Sequence, residues 1–420
     1  MRRVFQTSVF AIALRALGAA AGLAYSILLA RLLGAEGSGL YYLAFTVVSI
    51  GTVIGRLGLD NALLRFTSIH ADAKEWERVR AVGRLGLRLA AITSLVVTVL
   101  VILLAPLIST RVFRELELSR PLILMALSIA PLALLNLNAE ILKGLKRVRE
   151  AMIIQGVSLP LVAGLFLLIL AGPFGLSGAV TGYTLATIVV CAASFVVMTN
   201  RIPADEQPRG SFERRKLLST SWPLLVVAVM NLVIGLTDTV MLGIFMDSEA
   251  VGVYGVALRV TRLSSLVLVA VNSVVASEFS ALWDAKKQAN LSRLARLTTL
   301  GMTAVSILIF IVFSSFPQFI MGIFGPEFTQ GSRTLVILAL GQLITLGTGP
   351  VAILLMMTGH EKFHRDTVLA SALINVILNA VLIPLYGIEG AAIATAISLS
   401  VKNIVAVLFV RAKLGIKVLL

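Results

Sequence analysis

The sequence predicts an all-α protein that crosses a membrane many times, arranged as two six-helix lobes. Of its 420 residues 58% are hydrophobic and only 14% are charged, and apolar runs of spanning length recur almost from end to end. A bilayer's hydrocarbon core is about 30 Å thick, so about 20 helical residues cross it. Backbone polar groups inside lipid must be satisfied internally, which leaves helices or closed barrels. These runs are continuously apolar rather than alternating, which selects helices.

Run length and loop punctuation place twelve helices at roughly 8–31, 39–59, 82–109, 120–142, 152–171, 176–198, 217–245, 251–279, 298–324, 333–357, 366–385 and 389–410. Met1-Arg2-Arg3 followed by an apolar run looks like a signal peptide. The run continues through Arg15 to Leu33, however, too long for such a segment, so an uncleaved first helix is expected.

The connections alternate in charge. One set carries Arg2, Arg3, Lys74, Arg78, Arg80, Arg84, Arg88, Lys143, Lys146, Arg147 and Arg149, then basic clusters in 201–216 and 286–296, then Lys362, Arg365, Arg411, Lys413 and Lys417. The other set is short, with Arg31, Arg111, Arg114, Arg120, Arg333 and the acidic turn Asp247-Ser248-Glu249. Basic loops stay in the cytoplasm, which puts both termini inside and requires an even number of spans. The net charge of +15 is therefore expected to express topology, and no nucleic-acid partner is implied. The single cysteine, Cys191, sits inside an apolar run and offers neither a disulfide nor a thiol–metal site.

The polar stretch 199–216 falls at mid-chain. It divides an N-terminal lobe, 1–200, from a C-terminal lobe, 217–420, with 201–216 as a cytoplasmic linker. The halves resemble each other. At an offset of 213, Glu36, Gly39, Tyr41, Ala44 and Phe66 match Glu249, Gly252, Tyr254, Ala257 and Phe279. Near the end of each half Gly175, Gly178 and Ala179 match Gly387, Gly390 and Ala391. Parallel repeats of this kind imply a pseudo-twofold along the membrane normal, a cavity between lobes and alternating access by rocking.

An ionised side chain at mid-bilayer costs roughly 2.5–3.5 kcal/mol on insertion scales, so such residues face water or a partner. Arg15, Arg56, Asp238, Arg259 and Arg262 are the candidates. Arg56 could pair with Asp60 one turn on, and Arg262 could neutralise Asp238. Arg15 precedes Gly18 and Gly22, a small-residue face that admits another helix closely. An excess of guanidinium suits an anionic substrate, phosphate or pyrophosphate above all, because it binds oxygens bidentately and stays charged. Asp238, Asn375, Asn379 and Thr395 form an oxygen-donor set that would suit sodium or serve as polar glue between helices. No nucleophile–base set, metal-ligand cluster or phosphate-binding glycine loop is found, so no enzymatic activity is expected.

With these residues laid out, the chain resembles the polysaccharide transporter (Wzx-type) flippases of the multidrug/oligosaccharidyl-lipid/polysaccharide exporter superfamily. The resemblance rests on the stretch from Ala30 to Tyr41, on Gly58-Leu59-Asp60-Asn61-Ala62 with Arg65-Phe66, on Asn375 to Asn379, and on Ile383-Pro384 through Thr395. It implies a flippase that moves isoprenoid pyrophosphate-linked oligosaccharide to the outer leaflet of the plasma membrane. It also implies a lipid-linked oligosaccharide as substrate and a polysaccharide polymerase or other glycan-assembly protein as partner. Lipid II flippases use arginines on helices 1, 2 and 8, where Arg15, Arg56 and Arg259 stand here, with Arg262 one turn further. They hold sodium where Asp238, Asn375, Asn379 and Thr395 stand, but with a carboxylate at the position of Asn379. Sodium or a proton is the expected coupling ion, and no other cofactor is implied. The rival reading is a multidrug exporter of the same superfamily, which would favour a helix 1 carboxylate that this chain lacks.

Overall fold

The computed structural model describes residues 2–203, 212–416 and 418, with backbone alone for residues 2–12, 223, 227, 231, 233 and 234. Half of the expected linker, 204–211, lies outside the described residues, as do the side chains of Arg2 and Arg3. Every regular element is helical among the described residues. In the first half these are α1 (Arg2–Gly55), α2 (Leu59–Asp72), α3 (Trp76–Leu107), α4 (Ser119–Ala126), α5 (Ile129–Gly144), α6 (Val148–Met152) and α7 (Leu159–Arg201). Then follow α8 (Arg214–Phe245), α9 (Ser248–Arg262), α10 (Ser265–Asp284), α11 (Gln288–Ser315), α12 (Pro317–Gly322), α13 (Ser332–Gly347), α14 (Val351–Met357) and α15 (Glu361–Leu414).

By length and composition seven helices qualify as membrane spans among the described residues, or nine with each bent pair taken as one. Three of these stretches fold back on themselves. A straight α15 would hold Asn375 and Thr395 about 30 Å apart at 1.5 Å per residue. Their side chains instead lie 3.3 Å apart, and Ser371 Oγ donates to the Ser398 carbonyl at 2.8 Å. The reversal occurs at Gly387, whose φ of 55° and ψ of −132° suit a residue without Cβ. α7 turns at Gly175 with nearly the same angles, 52° and −134°. α1 breaks at Gly34, φ 67°, and brings the Tyr25 and Tyr41 hydroxyls within 2.7 Å.

Both predicted glycine matches thus mark one repeated hairpin. Inside it a Cβ on Gly178 would overlap the Leu170 carbonyl oxygen, and one on Gly390 would overlap that of Leu382, 212 positions on. The antiparallel arms touch through bare backbone at both places.

Two compact units emerge, Ala13–Leu236 and Thr237–Leu420, the latter joined by the first twelve residues. The division falls inside α8 rather than at the expected linker. The start of α8 packs on the first unit: a Cβ on Gly58 would collide with the α8 backbone at Ser221 and Leu225. Phe212 also packs tilted against Phe66, with centroids 5.1 Å apart, and Lys216 Nζ sits 5.8 Å over the Phe66 ring. The core of the first unit gathers Leu59, Leu63, Phe66 and Leu142; the matching core of the second gathers Phe279, Leu291 and Leu355. Between α2 and α3, Glu75 is bonded to His70 Nδ1 (2.6 Å) and accepts from Arg78 (3.0 Å). The His70 contact above all holds its carboxyl below the ordinary value of 4.5.

Candidate functional site

Four residues spread over more than 150 positions meet in the second unit. Asp238 on α8 is 7% exposed, and Asn379 on the first arm of α15 is fully buried. Asn379 Nδ2 donates to Asp238 Oδ1 at 2.8 Å, while Thr395 Oγ1, from the second arm, donates to Oδ2 at 2.6 Å. Asn375 lies one turn before Asn379 on the same face. Its Nδ2 reaches Thr395 Oγ1 and Ser398 Oγ, each at 3.3 Å. The hairpin at Gly387 is what brings Thr395 to this place.

A fifth residue joins them. The Tyr254 hydroxyl donates to Asp238 Oδ2 at 2.7 Å from the interior of α9, where it is completely buried. The turn between α8 and α9 is set by Asp247, which caps α9 by accepting from the Ala250 amide at 3.0 Å. Tyr254 stood in the sequence as a repeat match, not as a site residue. Its place sixteen positions after Asp238, across a turn with an N-cap, was the available signal.

All three hydrogen-bond donors to Asp238 are neutral, and Arg262 acts on it through its charge. An ionised carboxylate only accepts, which fits this donor set. The cluster also carries an unmet acceptor. Asn379 Nδ2 also donates to the Asn375 carbonyl (3.0 Å) and Oδ1 (3.1 Å), whereas buried Asn379 Oδ1 has no partner. Three acceptors around one amide nitrogen fix its orientation. A cluster that joins a carboxylate, a hydroxyl and amide oxygens, one of them orphaned, has the chemistry of a hard monovalent cation site.

The equivalent place in the first unit is built differently. Subtracting 213 from Asp238 and Tyr254 gives Tyr25 and Tyr41, and subtracting 212 from Asn375, Asn379 and Thr395 gives Ala163, Leu167 and Tyr183. Tyr25 and Tyr41 share the same hydroxyl contact, and Tyr183 stands edge-on to Tyr41 and Phe45, with centroids 6.2 and 5.7 Å away. Rings and aliphatic chains fill the space that the second unit gives to charge.

The four expected substrate-binding arginines have different surroundings. Arg15 is exposed on α1, and Gly18, one turn on, is in close approach to Gly156: a Cβ there would lie 2.7 Å from its carbonyl oxygen. The small-residue face thus admits another helix, as its glycines suggested. Arg56 pairs with Asp60, and its buried Nε has no hydrogen-bond acceptor. Arg259 is partly buried and donates Nη1 to the Gly255 carbonyl on its own helix at 3.1 Å. Arg262 follows three residues later on the same face, within the electrostatic reach of Arg259, Tyr254 and Asp238.

Similarity to known proteins agrees with this architecture. An inward-facing multidrug resistance transporter of the MATE family and the MOP superfamily superposes with a TM-score of 0.76 at 17% identity, covering 94% of each chain. The lipid II flippase MurJ, inward closed, gives 0.76 at 16% identity over 96% of this chain and 88% of its own. In sequence, "Probable low-salt glycan biosynthesis flippase Agl15" of Haloferax volcanii is 27% identical over 380 residues, 89% of this chain and 76% of that protein. The MatE family model matches residues 223–381. The model described as polysaccharide biosynthesis protein matches residues 6–283, two-thirds of the sequence, and the chain belongs to that family.

Proposed function

We propose that the protein is a flippase that carries isoprenoid pyrophosphate-linked oligosaccharide or polysaccharide repeat units from the inner to the outer leaflet of the plasma membrane. The observation that carries this reading is membership of a polysaccharide-biosynthesis family by a chain with the fold of a lipid II flippase. Its nearly full-length likeness to a glycan flippase points the same way. Arginines inside apolar helices suit a diphosphate headgroup, since the guanidinium fork matches its oxygens and never deprotonates. Arg15, Arg56, Arg259 and Arg262 take that role, the sugars pass through a wetted path, and the lipid tail stays in the bilayer. The transport is by alternating access, and no bond is made or broken in the substrate.

Asp238, Asn379, Asn375 and Thr395 hold the coupling cation, with Tyr254 as an additional member of the set. The orphaned Asn379 oxygen favours sodium over a proton, because a proton on Asp238 would leave that acceptor still unmet. Both termini lie in the cytoplasm, and a polymerase or other glycan-assembly protein receives the product. The likeness to MATE transporters and the match to their family model favour one rival, a cation-coupled multidrug exporter.

The experiment is complementation. In a host deleted for the gene, lipid-linked glycan accumulates, and the wild-type chain clears it. Arg15→Ala and Arg259→Ala insert normally but fail to clear it. Full clearance by both variants removes the arginines from the substrate path. Drug resistance on overexpression, with no accumulation on deletion, selects the exporter instead.

A further inference from the structure

Three helices of the first unit enclose a groove that the transport reading leaves unused. Its walls are α3, α5 and α7, and its volume is about 800 Å³, within the range of roughly 300–1,000 Å³ common for small-ligand sites. Leu87, Pro131, Leu134, Ile188 and Phe195 make it apolar. Ile188 and Phe195 are 46% and 51% exposed, and exposed apolar walls on a spanning helix are covered by lipid.

One end differs from the rest. Arg84 and Arg88 line it from a single face of α3, one turn apart, and both are exposed. No ion pair engages either of them among the described residues. Three carboxylates near these helix ends are already taken, Glu140 by Lys143, Glu150 by Arg201 and Asp72 by Lys146, while Glu77 stands two turns before Arg84 in the first turn of α3. Arg84 makes only a 3.4 Å bond from Nε to the Arg80 carbonyl. Asn138 lies buried at this end, donating Nδ2 to Ser194 Oγ at 2.9 Å, with Oδ1 unpartnered.

The depths agree. α3 begins at Trp76, α5 ends at Gly144 and α7 ends at Arg201. At 1.5 Å per residue, Arg84, Asn138 and Val196 lie about 12, 9 and 8 Å from those ends, and the far walls at Ala91, Ala130 and Ile188 lie about 20 Å in. The groove therefore runs along the membrane normal from a basic mouth into the hydrocarbon. A cationic mouth on an apolar slot is the complement of an anion esterified to acyl chains.

We propose that this groove holds one anionic phospholipid, with its phosphate between Arg84 and Arg88 and an acyl chain along Leu87, Pro131 and Phe195. Guanidinium grips phosphate bidentately. Basic pockets between transmembrane helices lodge such headgroups, and a zwitterionic lipid would bring an ammonium against two arginines.

Full-length protein in detergent, given equal phosphatidylglycerol and phosphatidylcholine of identical chains and read by native mass spectrometry, retains one phosphatidylglycerol in preference. Arg84→Gln with Arg88→Gln loses that preference. Ala192→Trp, which plugs the groove from α7, loses retention of both lipids. Helicity and unfolding temperature are read alongside, and the two variants act through different atoms, so misfolding of one leaves the other as the test. Equal retention of both lipids by the wild type overturns the proposal. So does a preference that survives both variants, or a peptide in place of the lipid. Transport is not measured, so the result stands apart from the flippase reading.

Discussion

Asp238 is a buried carboxylate bound by three neutral donors, and each donor can be removed singly. Asp238→Asn abolishes the response of transport to an imposed sodium gradient, which flux of lipid-linked glycan in proteoliposomes measures; a retained response excludes the residue from coupling. Tyr254→Phe removes one hydrogen bond to a charged acceptor, worth about 1.5–3 kcal/mol. It should lower the unfolding temperature and shift the sodium concentration that protects against heat, both visible in thermal unfolding with and without sodium chloride. An unchanged midpoint in either series separates Tyr254 from the cluster. Asp238, Asn375, Asn379 and Thr395 were legible in the sequence because a polar atom in an apolar run has few uses. Tyr254 was not, because a tyrosine in such a run packs as readily as it bonds. The Arg56–Asp60 pair was visible from spacing alone, since residues four apart meet on a helix.

Among the elements, the glycine-broken hairpins carry the sharpest expectation. Gly387 has positive φ with extended ψ, a region that costs residues with Cβ about 1–3 kcal/mol. Gly387→Ala and Gly175→Ala should therefore each lower the melting temperature by several degrees, measured by thermal unfolding in detergent. Gly172→Ala, whose Cβ would meet open space, serves as the control. Equal melting of all three would show that the hairpin tolerates a side chain. Sequence reasoning placed breaks near Gly175 and Gly387 from punctuation in apolar runs. It could not see that helix continues up to the glycine on both sides. Nor could apolarity show that the start of α8 belongs with the first unit, because that contact depends on a missing Cβ at Gly58.

For the whole molecule, the basic loops make a topological claim. A fluorescent protein at the C-terminus should glow, and alkaline phosphatase fused there should stay inactive. The same phosphatase inserted at Asp247-Ser248 should be active. The opposite pattern would invert the orientation and place the basic loops outside. The family and the fold were legible at this scale because they rest on run length, loop charge and repeated motifs, which survive distant divergence. The start of α8 joins the first unit through one close backbone approach and a few side-chain contacts, which no such average records.

The tyrosines that stand in the first unit where the second has Asp238 also limit the energetics. If the Asp238 cluster is where the proposed coupling cation sits, the described residues of the first unit offer no second carboxylate at the equivalent place. One monovalent cation entering down a tenfold gradient and a potential of about 100 mV releases about 3.7 kcal/mol. Before counting the cargo's own charge, that caps enrichment across the bilayer at roughly 500-fold for each ion spent. A flippase coupled to a single ion in this way would run best where a downstream reaction keeps consuming what it delivers.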